Sequence, residues 1–445
     1  MTQVERLHQL GELTGNAFLI ASAVKVIAVF TGVMVIVAML TLLERKIAAW
    51  MQDRLGPNRV GPSGLLQPVA DGIKNILKEE TFPAESNRTF FIIAPMLSII
   101  PALVTFAVIP FAAPLATPWG VVPMVIADVP VGVLFLIAFS SLGVYGIVMA
   151  GWASNNKYAL LGGLRAGAQM ISYEIPLGLS LLAVFFLVGN VRLTEVVHFQ
   201  QEMGLWFALP LAASFFFFWV STFAETNRLP FDLPEAEEEL VTGFHTEYSS
   251  MKFSAFMIAE YAHVFTASAL MATLFLGGWD IPFTSWDHIR HLGGGVVAGS
   301  EPSLLITLLT FLSFLLKTFF FILVFMLVRW TVPRFRYDQV MDLGWKVMIP
   351  AALAVVVITA GAILGLDAAG VTYTDRALGF LPTYGLVLTA VNLLMLGAVI
   401  MVLDRGRALS GSGSLSARRR STLQTASMRE AGITAHPPRA GVAGD

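Results

Sequence analysis

Nine apolar runs of bilayer length divide this chain, and no other feature limits its fold so tightly. They lie near residues 20–43, 90–113, 125–150, 168–189, 205–224, 254–278, 303–330, 345–366 and 381–403. A run of about 18 or more mostly uncharged apolar residues reads as a membrane span. Hydrocarbon offers backbone N–H and C=O groups no partner, so each run must be a helix unless it belongs to a closed barrel. Barrel strands alternate apolar and polar positions, and these runs do not. The expected fold is therefore all-α, a polytopic transmembrane helix bundle. Composition agrees: 56% of residues are hydrophobic and 13% charged, against about 25% charged in ordinary soluble domains. Pro95, Pro101, Pro176 and Pro210 fall inside the runs and mark expected kinks.

The Lys/Arg bias sets an expected orientation. One side gathers Arg45, Lys46, Arg54, Arg59, Lys74, Lys78 and Arg88 after the first run, then Arg329, Arg334, Arg336 and Lys346 after the seventh. The other side holds Arg6, Arg192, Arg290 and Arg376. This puts the N-terminus outside, and the 225–253 loop and the C-terminus in the cytoplasm. The start lacks the charged opening, short core and cleavage site of a signal peptide, so the first run is expected to stay. Residues 404–445 are rich in Ser, Gly, Ala and Arg without periodicity, and read as a disordered basic cytoplasmic tail.

Within the first positive segment, Gly56-Pro57-Asn58-Arg59-Val60-Gly61-Pro62 is turn chemistry. Leu65, Leu66, Val69, Ile73, Ile76 and Leu77 follow at helical spacing, with Asp71, Lys74, Lys78 and Glu79 mostly opposite. This predicts an amphipathic helix in the membrane interface. It is either a surface anchor or a lip around an entry for a lipid-soluble ligand.

Glu174 and Glu260 lie about two turns inside their spans. Glu44 closes the first span, Glu225 closes the fifth, and Lys317 lies mid-span in the seventh. Each such group costs roughly 2.5–3.5 kcal/mol on insertion scales, so a partner or a wet cavity is expected. Structural ion pairs, for example Lys317 with Glu174 or Glu260, are one reading. A protonatable chain is the other, favoured by four acids at one depth. The loop Arg228-Leu229-Pro230-Phe231-Asp232-Leu233-Pro234-Glu235-Ala236-Glu237-Glu238-Glu239 is the densest acidic run. Asp232 and Glu235 fit a capping box, with Pro234 in the first turn. His245, Glu247 and Tyr248 follow in the same loop.

Several chemistries are excluded. With no cysteine, the chain has no disulfide, thiolate-ligated cluster or Cys-based zinc site. It carries no phosphate loop, no H-E-x-x-H and no dinucleotide fingerprint. Nothing in it binds NADH, flavin or a metal on its own, and nothing suggests nucleic acid.

These residues carry a family resemblance. Glu44-Arg45-Lys46, Arg54-Leu55-Gly56-Pro57-Asn58-Arg59-Val60-Gly61-Pro62 and Leu66-Gln67-Pro68-Val69-Ala70-Asp71 resemble the first cytoplasmic segment of the H subunits of bacterial NADH-quinone oxidoreductases. Mitochondrial complex I subunit 1 falls in the same family. Gly151-Trp152-Ala153-Ser154-Asn155-Asn156-Lys157-Tyr158, Ser172-Tyr173-Glu174, Ala224-Glu225-Thr226-Asn227-Arg228, His245-Thr246-Glu247-Tyr248, Glu260-Tyr261, Lys317-Thr318 and Pro333-Arg334-Phe335-Arg336-Tyr337-Asp338-Gln339 continue it in order. It covers about residues 20–366.

The resemblance implies a multi-pass component of the bacterial cytoplasmic (inner) membrane, within a proton-pumping complex. Such a component joins the peripheral arm, whose subunits carry FMN and Fe–S clusters, to antiporter-like membrane subunits. It forms part of the chamber where quinone is reduced. On that basis Asp232, Glu235, Glu237, Glu239 and Glu247 line the cytoplasmic link of a proton-coupling path. Glu174, Glu225 and Glu260 carry the path into the membrane, with Lys317 beside it. Glu44, Arg45, Lys46, Arg54, Asp71 and Arg228 shape the quinone chamber or its entrance. The family's tyrosine and histidine that meet quinone belong to another subunit, so Tyr248 and His245 are not given that role.

Three features depart from the family. The ninth run and the basic tail lie beyond its usual eight spans. Glu238 stands where many members have a neutral residue. His263, one turn past Glu260, is not a family feature. Two other functions stay open: the homologous component of a hydrogenase or deazaflavin-type dehydrogenase complex, and a stand-alone proton or cation transporter. The latter predicts an inverted repeat, and none is visible.

Overall fold

A computed structural model describes residues 15–234, 241–282, 284–292, 296–299, 302–373, 375–377 and 381–404. Helix α1 is Gly15–Met51, and α2 is Gln67–Leu77. Helices α3 (Arg88–Val104), α4 (Gly132–Ala153), α5 (Lys157–Val188), α6 (Leu193–Met203) and α7 (Ala212–Glu225) follow. The chain continues through α8 (Ser250–Phe275), α9 (Leu304–Thr331), α10 (Tyr337–Ala368) and α11 (Thr383–Asp404). Eight described helices are long and apolar enough to cross a membrane. Strand is confined to three two-stranded hairpins among the described residues. The all-α membrane bundle is thus the fold.

The fifth run departs from expectation. It forms only the 14 residues of α7, about 21 Å of helix. Residues 207–211 before it are turns. Pro210 lies in these turns rather than inside a helix, because it lacks a donor and disfavours helical geometry in the residue before it. Pro95, Pro101 and Pro176 do lie within α3 and α5.

Small residues set the closest helix contacts, as expected where lipid gives helices no hydrophobic reason to associate. A Cβ added to Gly146 of α4 would stand 2.9 Å from the Ala94 carbonyl oxygen of α3. One on Gly151 would stand 2.4 Å from the Ala159 carbonyl oxygen of α5. Aromatic side chains fill the centre, with Phe217, Phe218 and Phe275 fully buried. Tyr173 is buried too, and its hydroxyl donates to the Val340 carbonyl oxygen at 2.9 Å. It packs against Gly344, inside a π-helical stretch of α10 at Leu343–Met348.

Helix α2 forms where the amphipathic pattern predicts it, with Pro68 in its first turn. None of its residues is buried, and Val69, Ile73, Ile76 and Leu77 are exposed. The turn before it needs Gly64, whose φ is +80°. Two kinds of element between the spans go beyond the sequence expectation. One is α6, whose Val196, Val197, Gln200 and Gln201 are buried and which stops at left-handed Gly204. The other is the hairpins, such as Leu115–Thr117 with Gly120–Val122. The ninth run forms α11, which packs on α10 and α7. Beside it lies an apolar cavity of about 330 Å³, lined by Phe216, Phe223, Phe231, Val328, Phe335 and Val399 among others.

Candidate functional site

At the end of α7 the chain turns sharply. Asn227 adopts φ +51°, and the Arg228 N–H donates to the Phe223 carbonyl oxygen at 3.3 Å. Gln169 of α5, fully buried, staples this turn: its Nε2 donates to the Ala224 and Phe231 carbonyl oxygens at 2.9 and 2.8 Å. The turn sends Arg228 back into the bundle, where it is buried.

There Arg228 meets two acids from different helices. Its Nη1 donates to both Glu44 carboxylate oxygens, at 3.2 and 3.1 Å. Its Nε forms an ion pair with Glu260 Oε1 at 2.7 Å. The guanidinium lies 4.4 Å from the centre of the Tyr261 ring, a cation–π contact. Arg329 of α9 also hydrogen-bonds Glu44. Two acids and two guanidinium groups therefore balance in a place where unpaired charge is costly.

Tyr261 also lines a cleft of about 470 Å³ between α1, α2 and α8, together with Val37, Thr41, Arg45, Asp71 and Ser254. Arg45 Nη1 donates to Asp71 at 2.7 Å, and Gln67 Nε2 at 3.1 Å. Partial burial pushes the Asp71 carboxyl up, but the Gln67 hydrogen bond and the charges of Arg45 and Lys74 outweigh it and leave it below its ordinary value. Lys46 donates to the Ser63 carbonyl oxygen at 2.7 Å, tying α1 to the turn. Of the chamber candidates, Arg45 and Asp71 line this cleft, while Glu44 and Arg228 meet behind Tyr261, which borders both. Arg54 is exposed and hydrogen-bonds Gln52, away from the cleft.

Behind Arg228 lie the remaining intramembrane acids. Glu225 shares a small chamber with Ser140, and Glu174 is near enough for its charge to act on Glu225. The Ser141 hydroxyl donates to Glu174. The acids thus run from Glu260 to Glu225 to Glu174 across α8, α7 and α5.

On the loop side, Asp232 accepts from Arg334 Nη2 at 2.9 Å. Burial holds its carboxyl above the ordinary range despite the pull of Arg334. Asn156 Nδ2 donates to Glu247 Oε1 at 2.7 Å. Tyr248 stacks on Phe91 with ring centres 4.0 Å apart, and burial pushes its phenol up. Burial lowers His245 to about 4. Glu235, Glu237 and Glu239, and with them the capping box, lie outside the described residues, as does the tail from 405 onward.

Lys317 is not with these acids. Its Nζ donates to the carbonyl oxygens of Leu276, Gly278 and Asp280 and lies 4.3 Å from the Trp206 ring. The reason is position along α8. Leu276 is sixteen residues past Glu260, about 24 Å along a helix. The expected pairing of Lys317 with Glu174 or Glu260 is corrected: it caps the far end of α8.

Sequence reasoning missed Gln169, Arg329, Ser140, Ser141 and Asn156. The polar Gln169 is visible in an apolar helix and could have been flagged, whereas Arg329 sits in the last turn of its helix, where a basic residue is ordinary. A helical Ser gives no comparable signal, since it bonds its own backbone readily.

The family described as NADH dehydrogenase matches residues 24–360. The chain is 46% identical over 347 residues to one of the NADH-quinone oxidoreductase H subunits, that numbered 1, of Cytophaga hutchinsonii, covering 78% of this chain and 98% of that one. It is 48% identical over 348 residues to the NADH-quinone oxidoreductase H subunit of Leptospira biflexa, covering 76% and 94%. For the corresponding protein of Rhodospirillum centenum the identity is 47% over 343 residues, covering 77% and 94%. Helix α11 lies beyond the family match.

Proposed function

This chain belongs to the NADH dehydrogenase family, and on that premise we propose that it is the quinone-chamber component of a proton-pumping NADH-quinone oxidoreductase. The Lys/Arg-rich end of the bundle faces the cytoplasm on this reading, and the peripheral-arm subunits dock there. Those partners supply FMN and Fe–S clusters, and they deliver electrons to quinone. This cysteine-free chain contributes walls, charge and a proton path. Antiporter-like membrane subunits receive what the path delivers.

The observation that carries the reading is the position of Arg228. It grips Glu44 and Glu260 inside the bundle and stacks on Tyr261, which is also a wall of the α1–α2–α8 cleft. The cleft has an apolar stem for an isoprenoid tail and Arg45 and Asp71 at its margin. Reducing quinone to quinol takes two electrons and two protons. The charge that appears during the reaction acts on the Arg228 network across the Tyr261 ring, in surroundings of low polarity where electrostatic influence is strong. Proton affinity then shifts along Glu260, Glu225 and Glu174. Asp232, Glu247 and the loop acids Glu235, Glu237 and Glu239 supply the cytoplasmic link.

The test uses the assembled complex in vesicles. Glu260→Gln and Glu174→Gln should each cut quinone-coupled turnover at least ten-fold. NADH oxidation by a water-soluble acceptor that bypasses quinone should stay near wild type. Full coupled turnover in both variants would make these acids structural and sink the reading.

A further inference from the structure

One partly buried ionisable side chain beside the glutamates, His263, is not used by their path. His263 lies one turn beyond Glu260 on the same face of α8. Its ring makes no hydrogen bond to protein among the described residues. It instead lines two small chambers inside the bundle. The first, about 30 Å³, is bounded by Ser98, Gly143, Glu225, Asn227, Glu260 and His263 among others. The second, about 20 Å³, is bounded by Thr105, Ser140, Thr222, Glu225, His263 and Thr266 among others. A water needs roughly 10–15 Å³ of such space and two to four polar partners. Both chambers meet both requirements.

The surroundings of the ring are suited to a mobile proton. A Cβ on Gly143 of α4 would lie 3.4 Å from His263 Nε2, so a larger side chain there would fill the chamber in front of that nitrogen. The ionisable groups that share the chambers are Glu260 and Glu225; the other polar neighbours named above are hydroxyls and the Asn227 amide. Glu260 already has a cation, Arg228. The groups acting on Glu225 are the Ser140 hydroxyl and the Glu174 charge, neither of them a cation. A proton in this space can therefore rest on Glu225 with a neutral imidazole, or on His263 facing a Glu225 carboxylate. The sum of charge is the same in both states, so exchange between them does not create net buried charge.

We propose that His263 is a proton-relay residue joining Glu260 to Glu225 through the two chambers. This rests on the reading of the glutamates as the coupling path. When turnover places a proton on the Glu260 carboxylate, that proton passes through a water and binds one imidazole nitrogen. The other nitrogen releases its proton through a second water to the Glu225 carboxylate. Glu260 ends one proton poorer and Glu225 one richer, and no electron moves. Rotation of the ring, or the reverse passage, restores the first tautomer.

The experiment uses the whole complex in vesicles with His263→Gln, His263→Ala and Glu260→Gln. Gln is close to His in size and can bind water but cannot carry a proton at neutral pH. Both His263 variants should keep oxidation of NADH by the bypass acceptor and lose at least ten-fold in coupled quinone turnover. Added imidazole should restore turnover several-fold in His263→Ala and not in His263→Gln. The rescued rate should track the unprotonated fraction of imidazole as pH changes. If His263→Gln keeps the wild-type rate and pH profile while Glu260→Gln is impaired, the relay is overturned and the glutamate path stands. If all three variants run at the wild-type rate, both fall together.

Discussion

Arg228 holds two acids that come from helices far apart in sequence, Glu44 and Glu260. Breaking a buried ion pair on one side costs about 3–5 kcal/mol, because the other charge is left unpaired. Arg228→Met should therefore lower the thermal midpoint of the detergent-purified protein markedly. Adding Glu260→Gln to it should recover part of the loss, since that change removes the orphaned charge. A double variant no more stable than Arg228→Met alone would show that the pair is not coupled. His245 offers a pH test. Its folded value of about 4 lies below the ordinary 6.5, so the unfolded segment binds the extra proton more readily. Stability from this residue is complete above pH 6.5 and is lost as pH falls toward 4, by at most about 3 kcal/mol. Hydrogen exchange in residues 242–249 should quicken over that window, and His245→Gln should flatten the effect. Single charges in apolar runs, such as Glu174 and Glu260, stand out in the sequence because lipid makes them costly. Their partners do not. Arg329 reads as an ordinary basic helix end, and Lys317 reads as a neighbour of the acids because spacing along one helix says nothing of depth against another.

At the scale of elements, each apolar run contains a helix, as lipid demands, although the fifth yields only the 14 residues of α7. The short α7 and its turns are hidden because Pro210 sits in a run as greasy as its neighbours. Helix α6 and the hairpins escape notice because they lie between spans, where bilayer length gives no guide. The turn that launches α2 is legible from its glycines and prolines, and its geometry makes a sharp test. A Cβ on Gly64 would stand 2.1 Å from the Pro57 carbonyl oxygen, at a φ of +80°. The left-handed backbone alone costs a side chain roughly 1–2 kcal/mol. Gly64→Ala should shift α2, raise the KM for long-chain quinone several-fold and leave bypass-acceptor activity unchanged. An unaltered KM would separate α2 from quinone access.

For the molecule as a whole, the family match ends at residue 360, and α11 is readable from sequence only as a further span without a task. Helix α11 contributes no residue to the Arg228 network or to the two small chambers. Ending the chain after Ala368 would open the apolar cavity to lipid tails rather than to water. Turnover of the assembled complex should stay within about two-fold of wild type while the thermal midpoint falls by a few degrees. A collapse of turnover would give α11 a functional part. The unburied α2 carries its own consequence at this scale. Val69, Ile73 and Leu77 of its apolar face are exposed among the described residues, so the bilayer serves as the missing wall of the cleft. Membrane thickness and lateral pressure then become settings of the doorway's width, and the lipid a cell chooses to make becomes a dial on how readily the door admits its guest.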